Sequence, residues 1–414
     1  MEKILIEGQQ KLSGLVEMSG MKNSALPIIF ACLLIKEECI LENIPRVSDV
    51  ENALLILREM GAIAEFIDSH TVKINTKNAQ DINLNFNLIS KMRASSYLIS
   101  TCLSRFGKIF MPYPGGCNFG IRPIEQHIKG IKKLGAKGDE IAGFIDFKVK
   151  RKLKSNKIRL DKISVGATIN MIMATALLDG ESVIENVARE PHVIDLIRFL
   201  NTSGADILHM GSYIRVRGVD SLKGIKYRIF SDTIEALTFI TSVGSSGGNV
   251  VLSNIEFENI KNVVPVFQKM GMKILNQGKD VRISSRKLLG TTVETAPHPG
   301  FPTDLHPQFS SLLCYCKNGG EVTENIFSGR FAYITELEKM GAKIVKNVNK
   351  VVVSQSELYG AFLDATDLRA GAALVVAALG AKGKSVINNV NYIVRGYEEL
   401  PGKLASIGAN IKLI

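Results

Sequence analysis

Hydrophobic and polar positions along this chain follow a pattern that returns six times. Each copy reads as strand, asparagine-containing turn, helix, glycine stop, strand, tight turn and strand. The stop is leucine, methionine or a similar residue followed by glycine, at Gly61, Gly135, Gly204, Gly271, Gly341 and Gly408. These glycines are spaced by 74, 69, 67, 70 and 67 residues. A glycine there ends a helix cheaply, because it adopts the left-handed conformation without steric cost. Asn43, Asn118, Asn186, Asn254, Asn325 and Asn389 lie 16 to 19 residues upstream, each after a β-branched run. Repetition in register makes this a protein of internal repeats.

A second helix in each copy is small and aliphatic, as in 169–178 and 370–379. A helix apolar on every side is buried. Each begins with a polar cluster: Ser19-Gly20-Met21-Lys22-Asn23, Lys91-Met92-Arg93-Ala94-Ser95, Ser164-Val165-Gly166-Ala167-Thr168, Ser231-Asp232-Thr233-Ile234-Glu235, Pro302-Thr303-Asp304 and Ala365-Thr366-Asp367-Leu368-Arg369. Ser19, Ser231 and Thr366 are expected to act as N-caps, as is Asp304 after Pro302-Thr303. Capping does not account for Lys22, Arg93 and Arg369, since a cation at the positive end of a helix dipole needs an anion beside it. The six copies divide as three plus three, into a domain of 21–229 and a domain of 1–20 plus 230–414. The expectation is that the helix ends meet in a cleft between them and line an anion site.

Composition narrows the class. Of 414 residues 46% are hydrophobic and 22% charged, which is globular and excludes a coiled coil or a disordered chain. The longest apolar run, 25–35, is short of the roughly 18–20 residues that span a bilayer, and the Met-Glu-Lys start has no export signal. A cytoplasmic protein without membrane insertion is expected. Lys and Arg number 51 against 40 Asp and Glu, so the net charge of +11 calls for an anionic partner: nucleic acid, an acidic membrane or a phosphorylated metabolite. The six cysteines contain no C-x₂-C pair, and reduced thiols are expected.

The segment Pro114-Gly115-Gly116-Cys117-Asn118-Phe119-Gly120-Ile121-Arg122-Pro123 sets three glycines around one thiol and reads as an exposed, mobile loop. Arg122 nearby would lower the Cys117 pKa and suit it to act as acid or nucleophile. Cys32, Cys39, Cys102, Cys314 and Cys316 read as small buried hydrophobes.

With Lys22-Asn23-Ser24-Ala25-Leu26-Pro27, the Pro-Gly-Gly-Cys loop, Asp161-Lys162-Ile163-Ser164-Val165-Gly166-Ala167-Thr168, Glu185-Asn186-Val187-Ala188-Arg189-Glu190-Pro191, 295–304, 365–370 and Arg395-Gly396-Tyr397-Glu398, the chain resembles the UDP-N-acetylglucosamine 1-carboxyvinyltransferases. The motifs run in order from about residue 5 to the carboxyl terminus. The resemblance implies an α/β fold of two inside-out barrels, each of three βαβαββ units. It implies transfer of the enolpyruvyl group of phosphoenolpyruvate to the 3′-hydroxyl of UDP-N-acetylglucosamine with release of phosphate, the first committed step of peptidoglycan precursor synthesis. It gives Cys117 as the residue that protonates or covalently adds to phosphoenolpyruvate and as the target of fosfomycin, Asp304 as the base, and Lys22 and Arg395 as further catalytic residues. Lys22, Asn23, Arg122, Arg369 and Arg395 are the matching phosphoenolpyruvate positions. Asn23, Arg93, Arg122, Pro123, Ile124, Glu125, Gln126, Lys162, Ser164, Val165, Gly166, Asp304 and Ile326 match the nucleotide-sugar positions, and Arg330 matches a family arginine near the expected cleft. Guanidinium groups suit both donor anions, and neither metal nor cofactor is implied.

Departures from the family pattern stand at Asp232-Thr233-Ile234-Glu235-Ala236-Leu237, which lacks an arginine and a glycine, and at Met21, Glu125, Gln126 and 100–102. They leave open a divergent copy acting on a related nucleotide sugar. Two other readings compete. The first is 5-enolpyruvylshikimate-3-phosphate synthase, which lacks the Cys117 loop. The second is a nucleic-acid-binding repeat protein, prompted by Lys148-Val149-Lys150-Arg151-Lys152-Leu153-Lys154. That run reads as a solvated face, and stacking aromatics are absent around it.

Overall fold

The computed structural model describes residues 2–82, 84–116 and 124–414. They form two compact units, one of 2–19 and 231–414, the other of 20–116 and 124–230. The repeat is uninterrupted over 157–217. Strand Lys157–Arg159 leads to helix Val165–Thr175, strand Glu181–Glu185, helix Pro191–Thr202, and the hairpin strands Asp206–Met210 and Tyr213–Arg217. The first two strands pair in parallel, Ile158 opposite Ile184, because the helix between them returns the chain to the same end. The hairpin then adds antiparallel neighbours, Ile214 opposite Ile184.

In two other copies the parallel strand comes from far along the chain. Strand Lys226–Arg228 sets Tyr227 opposite Leu41, and the amino-terminal strand Leu12–Glu17 sets Gly14 opposite Val250. Each unit holds three sheets, and five of the six are four-stranded among the described residues.

Helices Lys22–Ala31, Leu98–Phe106 and Val165–Thr175 lie inside one unit, and Thr233–Ser246, His306–Leu313 and Leu368–Gly380 inside the other. Small side chains let them approach. Ser311 Oγ donates to the Ala373 carbonyl at 2.9 Å, and Ser245 Oγ to that of Val376 at 2.9 Å. Strands outside alternate buried and accessible positions, as in Glu181–Glu185. Helices within and sheets without make the inside-out α/β barrel expected.

All six repeat glycines are left-handed, with φ between +89° and +108°. Asn43, Asn186, Asn254 and Asn389 are left-handed too, φ +53° to +62°, and Asn325 is not among them. The asparagines do more than turn. The side-chain amides of Asn43, Asn186, Asn254, Asn325 and Asn389 donate to the carbonyls of Ile229, Leu160, Met18, Thr295 and Ala365. Each stitches its strand to the parallel neighbour.

The capping residues differ from expectation. Asp232 and Asp367, one residue beyond Ser231 and Thr366, accept from the first helical N–H groups. Ser231 instead donates to Glu256, and Ser19 to Glu398. Of the serines at the cluster starts, Ser164 does cap, accepting from the Ala167 N–H at 3.3 Å. Cys32, Cys39, Cys102, Cys314 and Cys316 are free thiols and buried. No helix among the described residues is long and apolar enough to cross a membrane.

Candidate functional site

In the unit of 2–19 and 231–414, the segment after strand Thr292–Glu294 ends in a short 3₁₀ turn, Thr303–Leu305. Asp304 caps no helix there. Its Oδ1 accepts from Arg330 at 2.7 Å, and its Oδ2 from Arg369 Nη2 at 3.0 Å and Nε at 3.3 Å. Burial alone would raise the Asp304 pKa, but the two guanidinium groups overcome it and hold the carboxyl well below the usual range. Arg369 is the second residue of helix Leu368–Gly380 and only 4% exposed. The anion demanded by this cation at a helix start is the protein's own carboxylate. Arg369 also stacks on Tyr397, 5.3 Å from the ring centroid. Its Nη1 is buried without a hydrogen-bond partner among the described residues.

Arg395 is half-buried in the turn before helix Leu400–Ser406. The same turn carries Glu398, whose carboxylate accepts from Ser19 Oγ at 2.7 Å. Lys403 donates to Ser19 Oγ at 2.7 Å and to Glu235 at 2.8 Å, and Glu235 accepts the Ser19 N–H at 2.7 Å. The departing 232–237 motif therefore supplies a cap, Asp232, and a buried carboxylate, Glu235. Burial pushes the Glu235 pKa up to about 7 against the pull of Lys403. Between its ordinary 4.5 and about 7, the folded chain holds a proton that the unfolded chain has lost. Stability therefore falls as pH rises through that window, and Glu235→Gln should remove the fall. Thermal midpoints at about pH 5 and pH 8 check this; a parent-to-variant difference that stays constant with pH would refute it.

In the unit of 20–116 and 124–230, Lys22 opens helix Lys22–Ala31 and Asn23 follows it, half-buried. Lys22 is 8% exposed and reaches Asp49 Oδ2 at 3.1 Å. Here too the helix-start cation meets a carboxylate of the protein. Arg93 begins the 3₁₀ helix Arg93–Tyr97 and reaches the Pro114 carbonyl at 3.5 Å. Pro114, Gly115 and Gly116 are buried or half-buried, which corrects the expectation of an exposed loop over this stretch. A Cβ on Gly115 would stand 1.6 Å from the Ser90 carbonyl, and Gly116 has φ +124° beside the Arg93 backbone, so both positions demand glycine. Cys117, Arg122 and Pro123 lie outside the described residues.

Ile124 is buried, and Glu125 and Gln126 begin helix Glu125–Lys133. Gln126 Oε1 accepts the Lys162 N–H at 3.1 Å, joining this helix to the segment before Ser164, Val165 and Gly166. Gly166 faces His127, whose ring a Cβ would meet at 2.9 Å. His127 Nδ1 lies 2.9 Å from Asn170, and burial together with Arg93 pushes its pKa down to about 3, so it is neutral. The Ile326 N–H donates to Glu324 at 2.8 Å and its side chain is partly accessible.

The structure thus groups Asp304 with Arg330 and Arg369, Lys22 with Asp49, and Gln126 with Lys162. Sequence reasoning missed Asp49, His127, Asn170 and Glu324. Asp49 carries no motif, and its partner stands 27 residues away. His127 is one residue beyond a named position, but only its packing against Gly166 and Asn170 gives it a place.

The family model for EPSP synthase (3-phosphoshikimate 1-carboxyvinyltransferase) matches residues 6–404. A UDP-N-acetylglucosamine 1-carboxyvinyltransferase of Pseudoalteromonas atlantica is 41% identical over 419 residues, covering 100% of both chains. One of Halothermothrix orenii is 41% identical over 416 residues, again covering 100% of both. The fold is that of an enolpyruvyl transferase from Streptomyces tendae, TM-score 0.91 at 23% identity, over 100% of this chain and 99% of that one. EPSP synthase from Acinetobacter baumannii shares it with TM-score 0.80 at 17% identity, over 100% of each chain. The family model over residues 6–404 and 41% identity to these two relatives from end to end place the chain in the EPSP synthase family of enolpyruvyl transferases and, within it, among the UDP-N-acetylglucosamine 1-carboxyvinyltransferases.

Proposed function

We propose that the protein transfers the enolpyruvyl group of phosphoenolpyruvate to the 3′-hydroxyl of UDP-N-acetylglucosamine, releasing phosphate. The observation that carries the reading is the Asp304–Arg330–Arg369 group, in which one buried guanidinium nitrogen of Arg369 has no partner among the described residues. A buried N–H donor left unbonded is costly, and an anionic oxygen would satisfy it.

Arg369, with Lys22, Asn23, Arg122 and Arg395, is assigned to the phosphate and carboxylate of the donor. Arg93, Ile124, Glu125, Gln126, Lys162, Ser164, Val165, Gly166 and Ile326 are assigned to the nucleotide sugar, with Arg122 and Pro123 alongside them. The capped start of helix Val165–Thr175 presents N–H groups suited to the diphosphate.

Chemistry then runs in two steps. Cys117 protonates the donor's methylene carbon while the 3′-oxygen bonds to the adjacent carbon and Asp304 takes the hydroxyl proton. The tetrahedral adduct next returns a methyl proton to the Cys117 thiolate and expels phosphate, which carries away the proton taken by Asp304, and the double bond is restored. Clamped between two guanidinium groups, Asp304 is a weak base. A donor anion on Arg369 adds negative charge beside it, which raises its pKa toward a working value. Binding of the donor thereby prepares the base for the acceptor.

Phosphate release from phosphoenolpyruvate should require UDP-N-acetylglucosamine and should not occur with shikimate 3-phosphate. Absence of release with the first acceptor would defeat the reading. Cys117→Ser, or treatment with fosfomycin, should abolish turnover, and Cys117→Asp should retain some, because a carboxyl group can still deliver a proton. Full activity after fosfomycin treatment would remove Cys117 from the mechanism.

A further inference from the structure

No step above uses Glu324, although it is 2% exposed and its carboxylate accepts hydrogen bonds from several elements. Its two oxygens face different ways. Oε1 accepts from the Ile326 and Phe327 N–H groups at 2.8 and 2.9 Å and from Thr295 Oγ1 at 3.0 Å. Oε2 accepts from Thr303 Oγ1 at 2.9 Å and faces His306 Nδ1 at 3.1 Å. The Thr303 hydroxyl in turn accepts from Arg330 Nη1 at 3.1 Å, the nitrogen that also holds Asp304. His306 is buried, and burial favours its neutral form, with Nδ1–H pointing at the carboxylate. Its Nε2 meets the Tyr333 hydroxyl at 2.9 Å, which fixes the ring from behind.

We propose that Glu324 is a positioning residue serving both substrates: through Oε2 and Thr303 it sets Arg330 against Asp304, and through Oε1 it shapes the Ile326–Phe327 backbone turn for the sugar nucleotide. The inference rests on the roles given above to Asp304 and Ile326. A buried carboxylate serving only stability would need no such division. Here one oxygen is committed to the group that moves the proton and the other to a turn assigned to acceptor binding. Orientation of this kind is worth rate, since small displacements at a reacting group are expensive.

The division predicts a split in kinetics. Thr303→Val cuts the Oε2 arm and should lower kcat by about 10- to 100-fold, with KM for UDP-N-acetylglucosamine within about threefold of the parent. Thr303→Ser restores the hydroxyl and should return kcat to within about threefold. Thr295→Val weakens the Oε1 arm and should raise KM for the acceptor by about tenfold while changing kcat little. Phosphate release under steady state, with each substrate varied, reads all of these. Equal changes in kcat and KM in both valine variants, or a serine variant as impaired as the valine one, would overturn the proposal. So would valine variants that match the parent. A parent enzyme that releases no phosphate would instead overturn the functional reading, and this inference with it.

Discussion

Arg369→Met should reduce phosphate release by about 10³-fold, the scale of losing a preorganised charge stabiliser at a reacting centre. Arg369 makes two contacts to Asp304 Oδ2, at 3.0 and 3.3 Å, and carries the unbonded Nη1 assigned to the donor anion. Methionine fills similar volume and removes all of these at once. Arg330 stays on Oδ1 at 2.7 Å, so Asp304 is left with one partner and its carboxyl titrates higher than in the parent. Arg369→Lys keeps a charge but loses the planar fork, so it should fall between parent and methionine variant. Turnover of Arg369→Met within tenfold of the parent would sink the role given to this arginine.

Lys22→Met should destabilise its unit by about 1–3 kcal/mol, because it takes a charged hydrogen-bond partner from the buried Asp49 carboxylate. Both side chains are nearly inaccessible, 11% and 5% for Lys22 and Asp49, and the contact is 3.1 Å. Replacing the pair is a different matter from breaking it: Lys22→Met with Asp49→Asn removes both charges and should recover most of the lost stability. Turnover should stay lost in the double variant, since the donor's anions still lack their lysine. Thermal melting and phosphate release, measured together on the two variants, separate these effects. A double variant that regained activity along with stability would show Lys22 to be a scaffold residue alone.

The repeat was legible in the sequence because its signals are local. Gly61 and Gly135 end helices whatever surrounds them, and a helix apolar on all sides, such as Val165–Thr175, has nowhere to go but inside. The asparagines were legible as turns and illegible as stitches, because the carbonyl each one bonds lies just past the end of the parallel strand, at least 24 residues away in sequence. For Asn43 that carbonyl is on Ile229, 186 residues away. The caps slipped by one residue for a similar reason. Ser231 and Asp232 can both cap, and Glu256 decides by taking the Ser231 hydroxyl.

Charge shows the same boundary. Lys22 and Arg369 stood out as cations where a helix dipole disfavours them, and that much follows from elementary electrostatics. What answers them does not. Asp49 and Asp304 belong to other elements, and only packing brings them within 3.1 and 3.0 Å. By itself the chain determined six copies of one unit, buried helices, reduced thiols and the residue types that match an enolpyruvyl transferase, since each rests on a neighbour a few positions away. Tertiary structure alone decided that Asp304 lies clamped between two guanidinium groups, that Glu235 is driven toward neutrality, and that Glu324 gathers Thr303, His306 and the Ile326 turn. Those properties depend on distance and burial, which sequence separation does not encode.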